Sequence, residues 1–357
     1  MSLEVNIEKR LGDFQLKAEF TCEKEFTALL GASGCGKSLT LRCISGIVKP
    51  DRGRIVLNGR VLFDSEKKIN LPPQERKTGY LFQNYALFQN MTVEQNIACG
   101  IHKEKDKKRK KEAIADMIKK MQLTGLEKRR PDQLSGGQQQ RVALGRILVG
   151  DPEILLLDEP FSALDSFLSD QLISEVKSLL ESFKKEMLLV THSRDEAYTM
   201  CKKLMIMDHG KIITCGFTKD VFANPVTVPA AILTGCKNIY SAKKAGERKV
   251  EVPDLGIVLE TDRAVMDHLC AIGIRAHYFH PKARTNLFEV ELLEEIEGPF
   301  EWTIKFRFKN QKTGTPPVWW RVEKTRKLQT FPDKLGVAPE NILLLRTEKA
   351  ESLNDER

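Results

Sequence analysis

Three short stretches of the chain collect residue types that handle phosphate. GASGCGKS, residues 31–38, fits the pattern Gly-x-x-x-x-Gly-Lys-Ser/Thr. Glycines at 31, 34 and 36 free the backbone to curl its N–H groups around phosphate oxygens, with Ala32, Ser33 and Cys35 as the residues between. A helix that follows adds its positive N-terminal end. Lys37 is placed to reach the β and γ phosphates as a point charge, and the Ser38 hydroxyl to hold Mg²⁺. By chance the four fixed positions would match in roughly one chain of this length in a hundred, so context must decide. ILLLDEP, residues 154–160, supplies two carboxylates at the end of an apolar run. Asp158 suits the Mg²⁺ shell, and Glu159, next in line, suits orienting and polarising an attacking water. LSGGQQQR, residues 134–141, is a second Gly-Gly turn. Ser135 and the backbone amides of Gly136 and Gly137 offer another anion site.

The flanking pattern gives these stretches their scaffold. VNIE, FQLKAEF and FTALLGA read as strands, the last running straight into the phosphate loop. Behind the loop, Leu39, Leu41 and Ile44 have helical spacing. RIVLNGRVLF reads as a strand pair turned by Asn58-Gly59, and TGYLF as a further strand. Residues 93–145 look mostly helical, with a break near Pro131. ILLLDEP and MLLVTH are continuous apolar runs, as in buried parallel strands, with a helix over 167–185 between them and a helix DEAYTMCKK after. Strands alternating with helices imply an α/β fold with a mainly parallel sheet and a helical subdomain. After Gly235 the texture changes to short strands with turns, predicting a small β-rich, barrel-like domain over 236–357 behind a first domain over 1–235.

Composition excludes several classes. Of 357 residues, 41% are hydrophobic and 30% charged, an ordinary globular balance, and no apolar run approaches the length of a membrane span. The N-terminus MSLEVNIEKR carries charge where a signal peptide needs an apolar stretch, so the chain is expected to stay where it is made. The net charge of +8 permits nucleic-acid contact without requiring it. The densest basic run, Lys103 to Lys111, has no interleaved aromatics, and no nucleic-acid partner is expected. The eight cysteines include no C-x-x-C pair and read as free thiols. Only Cys35 lies in a motif, at a helix N-terminus that favours the thiolate, so it is expected to be reactive and protected by nucleotide.

The order of motifs resembles the ATP-binding subunits of ABC transporters. The phosphate loop is followed by Gln83 in YLFQNYALF, then LSGGQ, LLLDEP, SALD at 162–165, and His192 in LLVTHS. That resemblance covers residues 1–235 and implies a P-loop ATPase core, ATP and Mg²⁺ as ligands, and a homodimer. It implies that Gly31 to Ser38 bind the triphosphate and Mg²⁺, and that Asp158 supports the metal. Gln83 would sense Mg²⁺ and the attacking water, Glu159 would be the catalytic carboxylate, and His192 would contact the γ phosphate. Ser135, Gly136, Gly137 and Gln138 would bind the γ phosphate of ATP held by the opposite subunit, and Asp165 would bridge the dimer.

The carboxyl-terminal segment, NPVTVPAAILTGCKN followed by IGIRAHYF, resembles the junction and OB-like accessory domain of bacterial importer ATPases. IEKRLGDFQL and the stretch from Arg60 to Phe88 look closest to molybdate and sulfate importers. The resemblance therefore implies integral-membrane permease subunits as direct partners, an external solute-binding protein as an indirect one, and a peripheral place on the cytoplasmic face. Two residues are candidates for stacking the base, Phe14 and Arg10. Tyr85, Leu87, Phe88 and Met91 crowd together without the period of one helix face. They are candidates either for core filling or for a groove that accepts a short permease helix.

Overall fold

Apolar alternation lays down the first hairpin. In β1 (Ser2–Leu11), Leu3, Val5 and Ile7 point inward. In β2 (Phe14–Glu23), Leu16, Ala18, Phe20 and Cys22 do so, with Val5 opposite Phe20 and Ile7 opposite Ala18. β3 (Phe26–Leu30) is buried on both faces and ends at the phosphate loop, which opens α1 (Lys37–Ser45). β4 (Arg52–Leu57) and β5 (Arg60–Asp64) turn at Asn58 and Gly59, whose φ values of 53° and 78° are those the Asn-Gly pair predicts. β6 (Ile69–Asn70) and β7 (Thr78–Leu81) follow. The helical stretch resolves into α2 (Val93–Ala98), α3 (Lys107–Lys120) and α4 (Gly136–Leu148). Then come β8 (Ile154–Asp158), α5 (Ser166–Glu181), β9 (Glu186–Thr191), α6 (Arg194–Met200), β10 (Lys203–Asp208) and β11 (Lys211–Phe217). In this computed structural model the described residues are 2–23, 25–101, 105–162, 166–181 and 183–347, with backbone only at 166–172 and 181.

These strands form one eleven-stranded sheet ordered β6-β5-β4-β1-β2-β11-β10-β3-β9-β8-β7. It is mixed. β10, β3, β9, β8 and β7 run parallel and carry the phosphate motifs, whereas the β1, β2, β4, β5 wing is antiparallel, with tight turns closing its β1–β2 and β4–β5 hairpins. Leu155, Leu156 and Leu157 of β8 are fully buried. Each such leucine contributes about 1.5–3 kcal/mol of transfer free energy, which pins the strand that presents Asp158.

The first compact unit ends at Lys219 and a second spans 220–357, so the division falls before the boundary expected at 235. The reason is packing. α7 (Thr218–Ala223) straddles the division, while α8 (Val228–Leu233) contributes Ala231 to a cluster with Cys236, Ala271, Leu343 and Leu345 of the second unit. That unit is β-rich and OB-like, and its paired strands among the described residues are antiparallel. β12 (Asn238–Ser241), β13 (Lys243–Gly246), β14 (Lys249–Val252), β15 (Ile257–Glu260) and β16 (Leu269–Ile274) come first. β17 (Leu287–Glu297), β18 (Glu301–Phe308), β19 (Val318–Glu323), β20 (Lys334–Gly336) and β21 (Ile342–Arg346) complete it. β16 stops at Ile274. Arg275 there turns its guanidinium onto the carbonyls of Phe222 and Thr234, and a 3-10 turn over Ala276–Tyr278 follows.

Candidate active site

The phosphate loop is built around two backbone positions that require glycine. Gly34 and Gly36 have φ values of 80° and 110°, a region that side-chain-bearing residues avoid. Gly36 is the N-cap of α1 and gives it no side-chain cap bond, so the helix's first amides are left for a ligand. Lys37 is buried, and its Nζ donates to the carbonyls of Gly31 and Ala32, both at 2.8 Å. Beside them lies a cavity of about 390 Å³ that reaches from Leu11 and Phe14, past Ser33 and Gly34, to Ser38 and Glu159.

Opposite the loop stand the two carboxylates at the exit of β8. Asp158 is buried, accepting from Ser38 Oγ at 2.7 Å on Oδ1 and from the Tyr80 hydroxyl at 2.7 Å on Oδ2. Burial first, and the Asp158 bond second, push the Tyr80 phenol far above its ordinary range, so it remains a donor. Glu159 has φ of 45°, in the left-handed region. That bend is held by its N–H donating to Val190 O at 2.9 Å, and by the Ser162 hydroxyl donating to its carbonyl at 2.9 Å. Its side chain meets two of the predicted residues: Gln83 Nε2 lies 3.5 Å from Oε2, and His192 Nδ1 lies 3.3 Å from the same oxygen. The His192 turn is itself braced. Thr191 Oγ1 donates to Glu196 Oε2 at 2.6 Å and accepts from the Ser193 N–H at 2.9 Å. Burial raises the Glu196 carboxyl pKa, with the Thr191 bond opposing.

The structure thus brings together Lys37, Ser38, Gln83, Asp158, Glu159 and His192. It does not bring Ser135, Gly136, Gly137 or Gln138 to that cavity. Ser135 caps α4 reciprocally with Gln138: Gln138 N–H donates to Ser135 Oγ at 3.3 Å, and Ser135 N–H to Gln138 Oε1 at 3.0 Å. Ser135 and Gly136 are exposed, so a second chain is free to approach them. Asp165 lies outside the described residues. The adjacent Ser38 hydroxyl and Asp158 carboxylate are hard oxygen donors of the kind Mg²⁺ takes together with phosphate and water. No group of three acidic, His or Cys side chains among the described residues could hold a metal without such help.

One expectation is reversed. Cys35 is a free thiol but a buried one, and burial pushes its pKa up despite Lys37 nearby, so the thiolate is not favoured. The base candidates separate: Phe14 lines the cavity and touches the Gly36 position, whereas Arg10 is tied by its N–H to Asp51 and by Nε to Gly12 O. Of the crowded apolar residues, Tyr85 and Leu87 are core, Met91 is half-buried and Phe88 is 46% exposed. Sequence reasoning missed Tyr80 and Glu196. Nothing about an isolated tyrosine in TGYLF signals a carboxylate two strand residues beyond its ladder partner Leu156. The spacing Thr191 to Glu196 carries no signature of its own.

A nucleotide-hydrolysing ATPase of the cassette type is what this arrangement defines. Residues 17–162 match the family model described as ABC transporter. The spermidine/putrescine import ATP-binding protein PotA of Acetivibrio thermocellus is 40% identical over 251 residues, 69% of this chain and 70% of that protein. The sulfate/thiosulfate import ATP-binding protein CysA of Synechococcus elongatus is 39% identical over 66% of this chain and 70% of its own length. The molybdenum import ATP-binding protein ModC of Rhodospirillum rubrum is 34% identical over 74% and 70%. Among solved structures, a dimeric post-hydrolysis ATP-binding cassette bound to ADP and Pi superposes with a TM-score of 0.51 at 27% identity, covering 61% of this chain and 99% of that one. The structure of cbiO1 from Clostridium perfringens, part of an ABC transporter complex, gives 0.53 at 25%, covering 62% and 91%. The chain belongs to the ABC transporter family, among its import ATP-binding subunits, and is an ATPase.

Proposed function

We propose that this chain works as a homodimer on the cytoplasmic face of an integral-membrane permease, hydrolysing ATP to drive import of a solute delivered by an external binding protein. The observation that carries the reading is the position of Glu159, between Gln83 and His192 and at the rim of the cavity that holds Lys37 and Ser38. In hydrolysis a water oxygen bonds to the γ phosphorus as the bond to the β–γ bridging oxygen breaks. Glu159 orients that water and polarises its O–H, and Lys37 meets the charge on the β and γ phosphates. Mg²⁺, held by Ser38 with Asp158 behind it, would neutralise charge shared between those phosphates. Ser135 and Gly136, exposed and away from their own chain's cavity, are free to close on the ATP of the second copy. Exposed Phe88 suits an apolar anchor for a permease helix. Phe88→Ser is expected to weaken co-purification with the permease by at least about 2 kcal/mol while thermal melting of the free subunit stays unchanged.

For the cargo we read an oxyanion, molybdate first and sulfate second, on the likeness of the N-terminal hairpin and the Arg60–Phe88 segment to those importers. A polyamine is the second reading, favoured by the polyamine-importing relatives. Uptake of labelled molybdate, sulfate and spermidine into vesicles carrying the reconstituted complex tests both. Molybdate or sulfate uptake upholds the first, and spermidine uptake alone replaces it with the second.

A further inference from the structure

The loop that leaves Gln83 is built from an unfavourable backbone. Tyr85 and Ala86, neither of them glycine, have φ values of 58° and 45° in succession, a conformation that costs side-chain-bearing residues stability unless something outside imposes it. Arg146 imposes it. This residue sits in the last turn of α4, and its fork donates to Tyr85 O from Nη2 and to Ala86 O from Nη1, both at 2.8 Å. The same guanidinium lies 5.4 Å from the centroid of the Phe88 ring. Two further bonds tie this loop and α4 to the carboxylate strand: the Tyr85 hydroxyl donates to Pro160 O at 3.1 Å, and Gln140 Nε2 of α4 donates to the same oxygen at 3.3 Å. Glu159 is the residue before Pro160, and Gln83 lies two residues before Tyr85. One helix therefore fixes both residues that flank the attacking water in the proposed reaction.

We propose that Arg146 is a positioning residue for ATP hydrolysis. By holding the Tyr85–Ala86 carbonyls it keeps the loop left-handed and so sets the Gln83 amide against Glu159. The inference rests on the roles given above to Gln83 and Glu159. Lysine keeps the charge but not the planar fork whose two nitrogens address the two carbonyls separately.

The experiment measures ATPase kcat and KM for the full chain carrying Arg146→Met, Arg146→Lys, Ala86→Gly, and Arg146→Met with Ala86→Gly. Arg146→Met is expected to lower kcat about tenfold with KM within about twofold, because the lost contact acts on chemistry and not on nucleotide binding. Arg146→Lys should fall between it and the wild type. Ala86→Gly, which lets that position adopt the left-handed conformation unaided, should leave the wild-type rate nearly unchanged and recover at least about threefold in the Arg146→Met background. Unchanged kcat in Arg146→Met, or no recovery from Ala86→Gly, overturns the proposal. Should Arg146→Met melt below the assay temperature, Arg146→Lys with and without Ala86→Gly decides by the same criterion. Gln83→Ala is measured alongside. If it leaves kcat intact, the site reading itself fails; if it lowers kcat while Arg146→Met does not, only this inference fails.

Discussion

Two helix N-termini in this chain carry glycines, and they are finished in opposite ways. α1 begins at a left-handed glycine with no side-chain cap, beside a buried ammonium and inside a cavity. α4 begins at Ser135, whose side chain and that of Gln138 satisfy each other's amides on an exposed surface. The bare end is a site that one chain completes for itself. The capped end is stable alone and gives up little until another surface arrives. The same helix-terminus physics thus leaves one end bare and closes the other on its own side chains.

The largest effect expected on that comparison leaves both helix ends intact. Glu159→Gln should keep ATP binding and cost turnover roughly 3–5 kcal/mol of barrier. With hydrolysis stopped, α1 of one copy and α4 of the other should stay joined across bound ATP. Phosphate release and gel filtration check this, and wild-type turnover would remove Glu159 from the chemistry. Next, Lys37→Ala should weaken MgATP binding to the monomer by about 1.5–3 kcal/mol, the range for hydrogen bonds to a charged group, read by titration with a fluorescent nucleotide. Ser135→Ala should cost α4 about 1 kcal/mol of cap stability and leave monomer affinity unchanged while lowering steady-state ATPase. Equal losses of monomer affinity in the two variants would erase the distinction between the helix ends. The smallest effect concerns Cys35 at the bare end. At neutral pH an alkylating reagent should label exposed Cys99 before Cys35, and Cys35 labelling should accelerate as pH rises, because burial holds its thiol above the ordinary value. Mass spectrometry of labelled peptides gives both rates.

What was legible in the sequence follows a physical line. Local chemistry was readable. The Asn58-Gly59 turn has only one comfortable backbone, and the phosphate loop has glycine where the chain takes left-handed values. Contacts set by tertiary packing were not. Tyr80 meets Asp158 only because β7 and β8 lie side by side, and burial pushes the Cys35 thiol pKa up, which no helix-terminus argument contains. Arg76 is the extreme case. It is fully buried, has no carboxylate partner among the described residues, and donates to the carbonyls of Cys43 and Ile44 at the end of α1. In QERKTG it reads as one more surface charge. The packing of α8 is illegible for a related reason, since only its partners Cys236, Ala271, Leu343 and Leu345 place Ala231 in the cluster of the second unit.

The left-handed backbone at Glu159 has a consequence for engineering. A glutamate there is held against a conformation that glycine would take freely. Selection for thermal robustness alone therefore pushes position 159 toward glycine and, with the role proposed above for Glu159, the chain toward a well-folded, inert cassette. A stabilisation campaign on this protein needs turnover in its screen from the first round.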